Sequence, residues 1–156
     1  MDDIDHKIAC LLSRQGRLSY EQIGQAVNLA RPTVHERVKR LEAHGIIRGY
    51  HAQVDWPALG YPLTAFVWVS SRAKSDETAA ALLRLSTSQA VIEACHGVTG
   101  EWCLLVQVHV KSANALKEFI DGIYSVEGVQ NTMTILSLAA YQERGTITAS
   151  NKEDTR

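Results

Sequence analysis

The sequence predicts an α+β protein with a small helical head followed by a larger unit of mixed strands and helices. Three observations predict this class. Apolar residues recur at helical spacing over about the first 45 residues, β-branched and aromatic residues fill several later segments, and a stretch with proline and glycine separates the two patterns. A chain of 156 residues, 46% of them hydrophobic, is long enough to bury a core in each unit.

Two short helices are predicted at the start of the chain. The first begins after Asp2 or Asp3, either of which can cap it. Its inner face carries the apolar residues Ile4, Ile8, Leu11 and Leu12. The second helix is predicted over residues 20–27, because Ser19 can cap it and Gln22 completes a capping box three residues on.

A third helix is predicted over residues 32–44, ending at Gly45. Its inner stripe consists of Val34, Val38 and Leu41. Ala30 has no side-chain oxygen with which to cap this helix, whereas Thr33 and Glu36 have the spacing of a capping box. The helix is therefore expected to start one or two residues late.

The charges gather on this third helix. Five basic residues face two acidic ones between Arg31 and Arg48, although the whole chain has a formal net charge of -1. A basic run is often only a solvated face. Here it lies on the second of two helices joined by a short turn, which is the helix-turn-helix pattern that puts a helix into the major groove of DNA. Clustered cations suit the phosphates there, so double-stranded DNA is the predicted partner.

Individual DNA contacts follow from position along this helix. Lys39, Arg40 and Arg37 are expected mainly to touch phosphates, while Thr33, His35 and Glu36, nearer the helix start, are expected to meet base edges. The complete predicted DNA-binding set is Ser19, Tyr20, Arg31, Thr33, His35, Glu36, Arg37, Lys39, Arg40 and Arg48.

The back half predicts a ferredoxin-like βαββαβ sandwich, in which two helices cover one face of a four-stranded sheet. The predicted strands are 63–71, 89–98, 103–110 and 129–142, and the predicted helices are 76–86 and 113–124. Residues 46–62 read as a strand followed by an irregular linker. The expected division is a winged-helix-like head over 1–51, a linker over 52–62, a sandwich over 63–143 and a flexible tail over 144–156.

One face of the predicted sheet carries apolar residues that the helices cannot cover. Phe66, Trp68 and Leu105 alternate with the helix-facing residues of their strands. A monomer would leave these three in water, so two sheets are expected to pack face to face in a homodimer. A symmetric dimer presents two heads, which predicts pseudo-palindromic DNA sites.

The string "RVKRLEAHGIIRGY" at 37–50, with "IDHKIACLL" at 4–12 and "ACHGVTG" at 94–100, resembles the Lrp/AsnC family of transcription regulators, also called feast/famine proteins. The similarity extends over residues 2–143. It implies sequence-specific regulation of transcription, a dimer that often assembles into a tetramer or octamer, and an amino acid or related metabolite as effector. One departure is the turn Asn28, Leu29, Ala30, where the family usually has Gly and then Leu-Ser.

The resemblance also implies an effector loop between the second and third strands, where the family typically reads T-G-x-x-D. Thr99 and Gly100 match, but Cys103 stands at the Asp position. A neutral thiol does not give an ammonium group a charge-assisted partner, although Glu101 can supply a carboxylate and Trp102 can cover an apolar ligand. The expected effector set is Val98, Thr99, Gly100, Glu101, Trp102 and Cys103, with Thr132 and Thr134 as weaker candidates. The alternative is a plain β-turn with Gly100 at positive φ.

Other functions receive little support from the sequence. Catalysis is not expected, because the histidines and carboxylates stand singly and no third group orients the neighbouring Cys95 and His96. An RNA-binding sheet needs stacking aromatics, which residues 103–110 lack. A DNA-binding architectural regulator with no effector, a small-molecule-binding or enzymatic ferredoxin-like protein, and a protein-only interaction module remain as alternatives.

Composition narrows the partners further. The three cysteines form no C-x-x-C pair, so neither a disulfide framework nor a metal site is expected, and no cofactor is implied. No apolar run approaches the roughly 20 residues that span a bilayer, and the first residues are acidic rather than basic. We therefore expect no membrane partner and a cytoplasmic location.

Overall fold

The computed structural model describes residues 1–140, 142–143 and 146–147. It contains two compact units, which include residues 1–53 and 54–140. The first unit contains the helices α1 (Asp3–Arg14), α2 (Tyr20–Val27) and α3 (Arg31–Ala43). The second contains β1 (Leu63–Ser71), α4 (Ser75–Leu83), β2 (Ala90–Gly97), β3 (Leu104–Val110), α5 (Ala113–Tyr124) and β4 (Val129–Leu136). Two further strands, β5 (Gln142–Glu143) and β6 (Thr146–Ile147), pair with each other.

The tail that was predicted to be flexible, residues 144–156, lies outside the described residues apart from β6. None of the helices in the described part of the chain has both the length and the apolar character that crossing a bilayer requires.

The predicted starts of α1 and α2 are confirmed by their caps. The carboxylate of Asp2 accepts a 2.8 Å bond from the amide of Asp5, and the Asp5 carboxylate accepts one from the amide of Asp2. Ser19 and Gln22 form the same reciprocal arrangement at α2, with bonds of 3.2 and 2.9 Å. Each capping box satisfies two amides that the first helical turn leaves without partners.

The turn between α2 and α3 depends on a glycine that sequence reasoning did not single out. Asn28 adopts the left-handed conformation with φ 56°, which brings the chain back over α2. The amide of Leu29 then donates a 2.9 Å bond to the carbonyl of Gly24. A Cβ atom at Gly24 would collide with the carbonyl oxygen of Leu29, so only glycine fits this close approach.

The prediction of a late start for α3 is wrong. The helix begins at Arg31 with Ala30 as its N-cap, and no side chain caps it. Pro32 lies in the first turn with a backbone already suited to helix, and the amide of Val34 closes that turn by donating to the carbonyl of Ala30 at 3.1 Å. Backbone geometry therefore sets this helix start without the predicted capping box.

The strand predicted after α3 is not formed either. Gly45 ends the helix at φ 67°, and the amides of Ile46 and Ile47 both donate to the carbonyl of Leu41, at 2.9 and 3.2 Å. These amides bond to the end of the helix, so they do not pair with a neighbouring strand. Ile47 then packs against the head core, whose buried members are Ile8, Leu12, Ile23, Val34, Val38 and Leu41.

The second unit has the predicted ferredoxin-like architecture. Its antiparallel sheet has the order β2-β3-β1-β4, and α4 and α5 contribute Leu82, Phe119 and Ile123 to a core against one face. The helix-facing residues of β1 and β3 are buried except for the half-buried Leu63; the buried ones are Ala65, Val67, Val69, Leu104, Val106, Val108 and Val110. The two central strands are apolar on this side because helices cover it.

Residues 54–62, which fall within the predicted linker, belong to the second unit. Asp55 accepts a 3.0 Å bond from the amide of Ala58 in a turn over residues 56–60. The ring of Trp56 stacks on His109 of β3, with centroids 4.5 Å apart and planes 13° from parallel. His109 is buried, although it lies on the sheet face away from the helices, because Trp56 covers it.

Replacing Gly24 by Ala tests the close approach in the helix-turn-helix. We expect Gly24→Ala to lower the free energy of unfolding by about 1–3 kcal/mol, because the new methyl group forces the turn away from α2. Urea unfolding followed by circular dichroism measures the change. In the control Gly16→Ala, the added methyl group meets only ordinary contacts, so equal losses in both variants would contradict this account.

Candidate nucleic-acid interface and ligand loop

The outer face of α3 is polar and mostly basic. The exposed members of the predicted DNA-binding set on this helix are Arg31, Thr33, His35, Glu36, Lys39 and Arg40. Three of these are cations and one is an anion. The opposite stripe packs on α1 and α2, so the helix has one face for the core and one for a charged partner.

An aromatic contact joins the start of α2 to α3. The rings of Tyr20 and His35 have centroids 5.3 Å apart and are tilted by 50°. The Nδ1 atom of His35 lies 3.7 Å from a carboxylate oxygen of Glu36. The structure thus brings together three side chains that the sequence had selected separately.

A surface hollow of about 540 Å³ adjoins this contact. It is lined in part by Ser19, Tyr20 and Arg31, three residues of the predicted DNA-binding set. Tyr50 and Glu42 line it as well, and the Tyr50 hydroxyl donates a 2.8 Å bond to Glu42. Burial and this carboxylate raise the pKa of Tyr50 to about 12. Arg48, the last member of the set, is exposed beyond the end of α3.

Arg37 requires a correction, because it does not face solvent with the other cations. Its Nη1 atom donates 2.7 Å bonds to Asp2 and to Asp5, and its side chain is only 20% exposed. These bonds hold the side chain against the start of α1 rather than outwards. The hydrogen bonds that Arg37 donates to Asp2 and Asp5 raise the pKa of Arg37, and these ion pairs engage its charge within the head.

Arg40 shares the same carboxylate while staying accessible. Its Nη2 atom donates to both oxygens of Asp5, at 2.9 and 3.1 Å, yet its side chain is 53% exposed. Asp5 itself is 2% exposed. Burial alone would raise the pKa of Asp5, but the hydrogen bond from Arg37, the amide of Asp2 and the charge of Arg40 hold it below its ordinary value.

The predicted effector loop is a tight connection between β2 and β3. The amide of Val98 donates to the carbonyl of Cys103 at 3.0 Å, and Gly100 has φ 109°. Thr99, Gly100 and Glu101 are exposed, and Trp102 is half-buried. The loop therefore offers backbone groups, one carboxylate and one large aromatic ring to a ligand.

Cys103 also requires a correction. Its amide donates to the carbonyl of Val69 at 3.0 Å, and its thiol donates to the same oxygen at 3.3 Å. The side chain packs against the core of the second unit. The thiol is thus directed to the carbonyl of Val69 in β1.

The two weaker candidates lie on the other side of β1. Thr132 pairs with Val69 and Thr134 with Val67, so both threonines share the helix-covered face. The hydroxyl of Thr132 donates a 3.1 Å bond to the hydroxyl of Tyr124 on α5. Val69 therefore stands between Cys103 and Thr132, and Thr134 lies two residues further along β4.

The sheet face away from the helices carries the predicted dimer residues. Phe66, Trp68 and Leu105 are half-buried there. Phe66 pairs with Ile135 and Trp68 with Met133, and these two partners are 49% and 40% exposed. Sequence reasoning missed both, although the alternation in "TMTIL" at 132–136 was a signal that could have identified them.

The shared Asp5 carboxylate predicts a specific response to acid. Because its pKa is lowered in the folded head, its bonds stabilise the protein above about pH 4 and are lost as the pH falls through the folded pKa. We expect Asp5→Asn to unfold at a lower urea concentration than the parent at pH 7. At pH 3 the difference between the two urea midpoints should be smaller. In the control Asp3→Asn an exposed carboxyl of the same turn is lost, so an equal effect at pH 7 would contradict the role of Asp5.

Comparison with known proteins identifies the family. Residues 1–42 match the AsnC-type helix-turn-helix domain, and residues 64–147 match the Lrp/AsnC ligand binding domain. The HTH-type transcriptional regulator FL11 of Pyrococcus furiosus is 35% identical over 144 residues, which cover 92% of this chain and 93% of that protein.

Two solved structures are also similar. A Neisseria meningitidis transcriptional regulator in complex with L-Met is 31% identical, with a TM-score of 0.78 over 92% of this chain and 93% of that one. A Mycobacterium tuberculosis feast or famine regulatory protein complexed with L-methionine is 29% identical, with a TM-score of 0.80 over 91% and 95%. The chain therefore belongs to the Lrp/AsnC family of DNA-binding transcriptional regulators.

Proposed function

We propose that this regulator binds specific duplex sequences with the outer face of α3. Thr33, His35 and Glu36 meet base edges, while Lys39 and Arg40 contact phosphates. The observation that carries the proposal is the separation of the two sides of α3, where a buried apolar stripe lies opposite exposed cations. A rigid helix with this division suits a groove lined by phosphates.

The same proposal includes a symmetric dimer. Phe66, Trp68 and Leu105, with Met133 and Ile135 beside them, form an apolar face that a second sheet can cover. Two heads then read a pseudo-palindrome whose half-sites are about one helical turn apart or a multiple of it. Assembly of dimers into a tetramer or octamer would align several heads on one DNA segment.

We further propose an amino acid or related metabolite as the effector, held at the loop 98–103. The methionine complexes of the two similar regulators support this ligand class. Because the Cys103 thiol is bonded to Val69, the backbone near Gly100, the Glu101 carboxylate and the Trp102 ring are the groups that would hold the ligand. Binding would act by favouring one assembly over another. The alternative is a regulator without an amino-acid effector.

Replacing Lys39 tests the DNA contact. Lys39→Ala should weaken binding to every duplex and reduce the slope of log affinity against log salt by about 0.9, the value for one lost phosphate contact. Fluorescence anisotropy on one fixed duplex at four salt concentrations measures both quantities.

The matched control is Lys117→Ala, which removes an exposed lysine from α5 in the second unit. It should retain the affinity and the slope of the parent. A slope in Lys39→Ala equal to that of the parent would show that this lysine does not meet a phosphate.

Substitution at Gly100 tests the ligand loop. Calorimetry with the common amino acids should give a measurable heat in the parent that is lost in Gly100→Trp, because the indole fills the space beside the loop. Gly60→Trp is the matched control, since Gly60 also has positive φ, at +88°, and also has open space around its Cα. Equal heats in both variants would locate the ligand elsewhere, and no heat in the parent would favour a regulator without this effector.

A further inference from the structure

We propose that Asp5 is a positioning residue for DNA binding, which acts by holding Arg40 against α1 while the rest of that guanidinium contacts a phosphate. The inference rests on the proposed function, since it concerns how α3 meets DNA. It assigns a role to a carboxylate that lies on α1, outside the helix-turn-helix pair.

Arg40 has N–H donors that its bonds to Asp5 do not use. In the described part of the chain, the bonds of its guanidinium to Asp5 all use Nη2. Arginine has five N–H donors in a fixed plane, so Nε and Nη1 keep donors that can turn to a second anion. One planar group can therefore bridge a carboxylate of the protein and a phosphate of DNA.

The carboxylate is fully engaged on the inner side. One oxygen of Asp5 accepts from Arg37 at 2.7 Å and from Arg40 at 3.1 Å, while the other accepts from Arg40 and from the amide of Asp2. These four bonds fix the position of the Asp5 carboxylate. Arg37 anchors the carboxylate from within the head, and Arg40 extends from it to the surface.

Burial places the Asp5 carboxylate behind the guanidinium of Arg40. The charges of Asp2 and Asp5 offset those of Arg37 and Arg40, so the group of four is neutral in sum. The Asp5 side chain is only 2% exposed, whereas that of Arg40 is 53% exposed. A phosphate that approaches Arg40 therefore meets its guanidinium before the Asp5 carboxylate, whereas the Asp2 carboxylate, which is 52% exposed, lies beside Arg37.

The bonds to Asp5 also lower the conformational entropy that Arg40 loses when DNA binds. A free arginine has many rotamers, and fixing one such side chain at an interface costs affinity by a factor of about 2 to 10. Arg40 is held before DNA arrives, so most of this cost is already met in the folded head. Lys39 is a useful contrast, because it has no ion pair among the described residues.

A double-mutant cycle on DNA affinity tests the inference. The probe is a duplex that the parent selects from a randomised pool, and affinities are measured at several salt concentrations for the parent, Asp5→Asn, Arg40→Ala and the double variant. Arg40→Ala should lower both the affinity and the salt slope, the slope by about 0.9. Asp5→Asn should lower the affinity about 2- to 10-fold, with the slope kept, and should cost nothing further once Arg40 is Ala.

Two further variants separate positioning from a structural role. Asp3→Asn changes the net charge equally without touching Arg40, so it should bind as the parent does. Arg40→Lys leaves the bond between Arg37 and Asp5 in place, and it keeps a cation that cannot present a planar edge to both anions. It should lower affinity and keep the slope, and it tests the inference even if Asp5→Asn does not fold.

The inference is overturned if the losses in the double variant add, or if Arg40→Lys binds like the parent at every salt concentration. A parent chain that selects no duplex overturns the proposed function and this inference together. A parent that binds while Arg40→Ala keeps its affinity and slope overturns this inference alone.

Discussion

The orientation of α3, the helix proposed to bind DNA, depends on one buried carboxylate. Asp5 on α1 accepts bonds from Arg37 and Arg40 of α3, and it also completes the capping box that starts α1. A buried charge is stable only with such partners. Loss of the two arginines would therefore destabilise the head. The start of α1 and the middle of α3 are therefore fixed together, and the exposed face of α3 is presented as a rigid surface. The close contact of Gly24 with Leu29 fixes the opposite side of the helix-turn-helix.

In the second unit the side chains of β1 alternate between the two faces of the sheet. Residues such as Val67 face the helices and form the core, while Phe66 and Trp68 face away, where a second sheet can cover them. The loop that carries Gly100 closes on the end of this same strand, through the bonds of Cys103 to Val69. The loop thus lies next to the strand that carries part of the proposed dimer face. This adjacency gives a physical basis for coupling between ligand and assembly.

Local signals in the sequence predicted most of the fold. The cap of α1 at Asp2, the capping box of α2 and the alternation in the strands are each determined within a few residues, and each is confirmed. The failures concern partners distant in the chain. Nothing near Arg37 reveals that Asp5, some thirty residues earlier, turns it inwards, and nothing near Cys103 reveals its bond to Val69. The prediction of a strand after α3 failed for a similar reason. A strand pattern does not show whether the amides of the segment already donate hydrogen bonds to the end of a helix. The DNA, effector and dimer contacts themselves stay predictions, since they need partners outside the chain.

The most direct test of the account is methylation interference on a duplex selected by the parent protein. Dimethyl sulfate modifies guanine N7 in the major groove and adenine N3 in the minor groove, so it reports which groove the protein enters. If a dimer reads DNA with its two α3 helices, methylated guanines will block binding in two clusters separated by about one helical turn or a multiple of it, one for each α3. Interference confined to adenines, or a single cluster of guanines, would contradict the reading of DNA by paired α3 helices in the major groove.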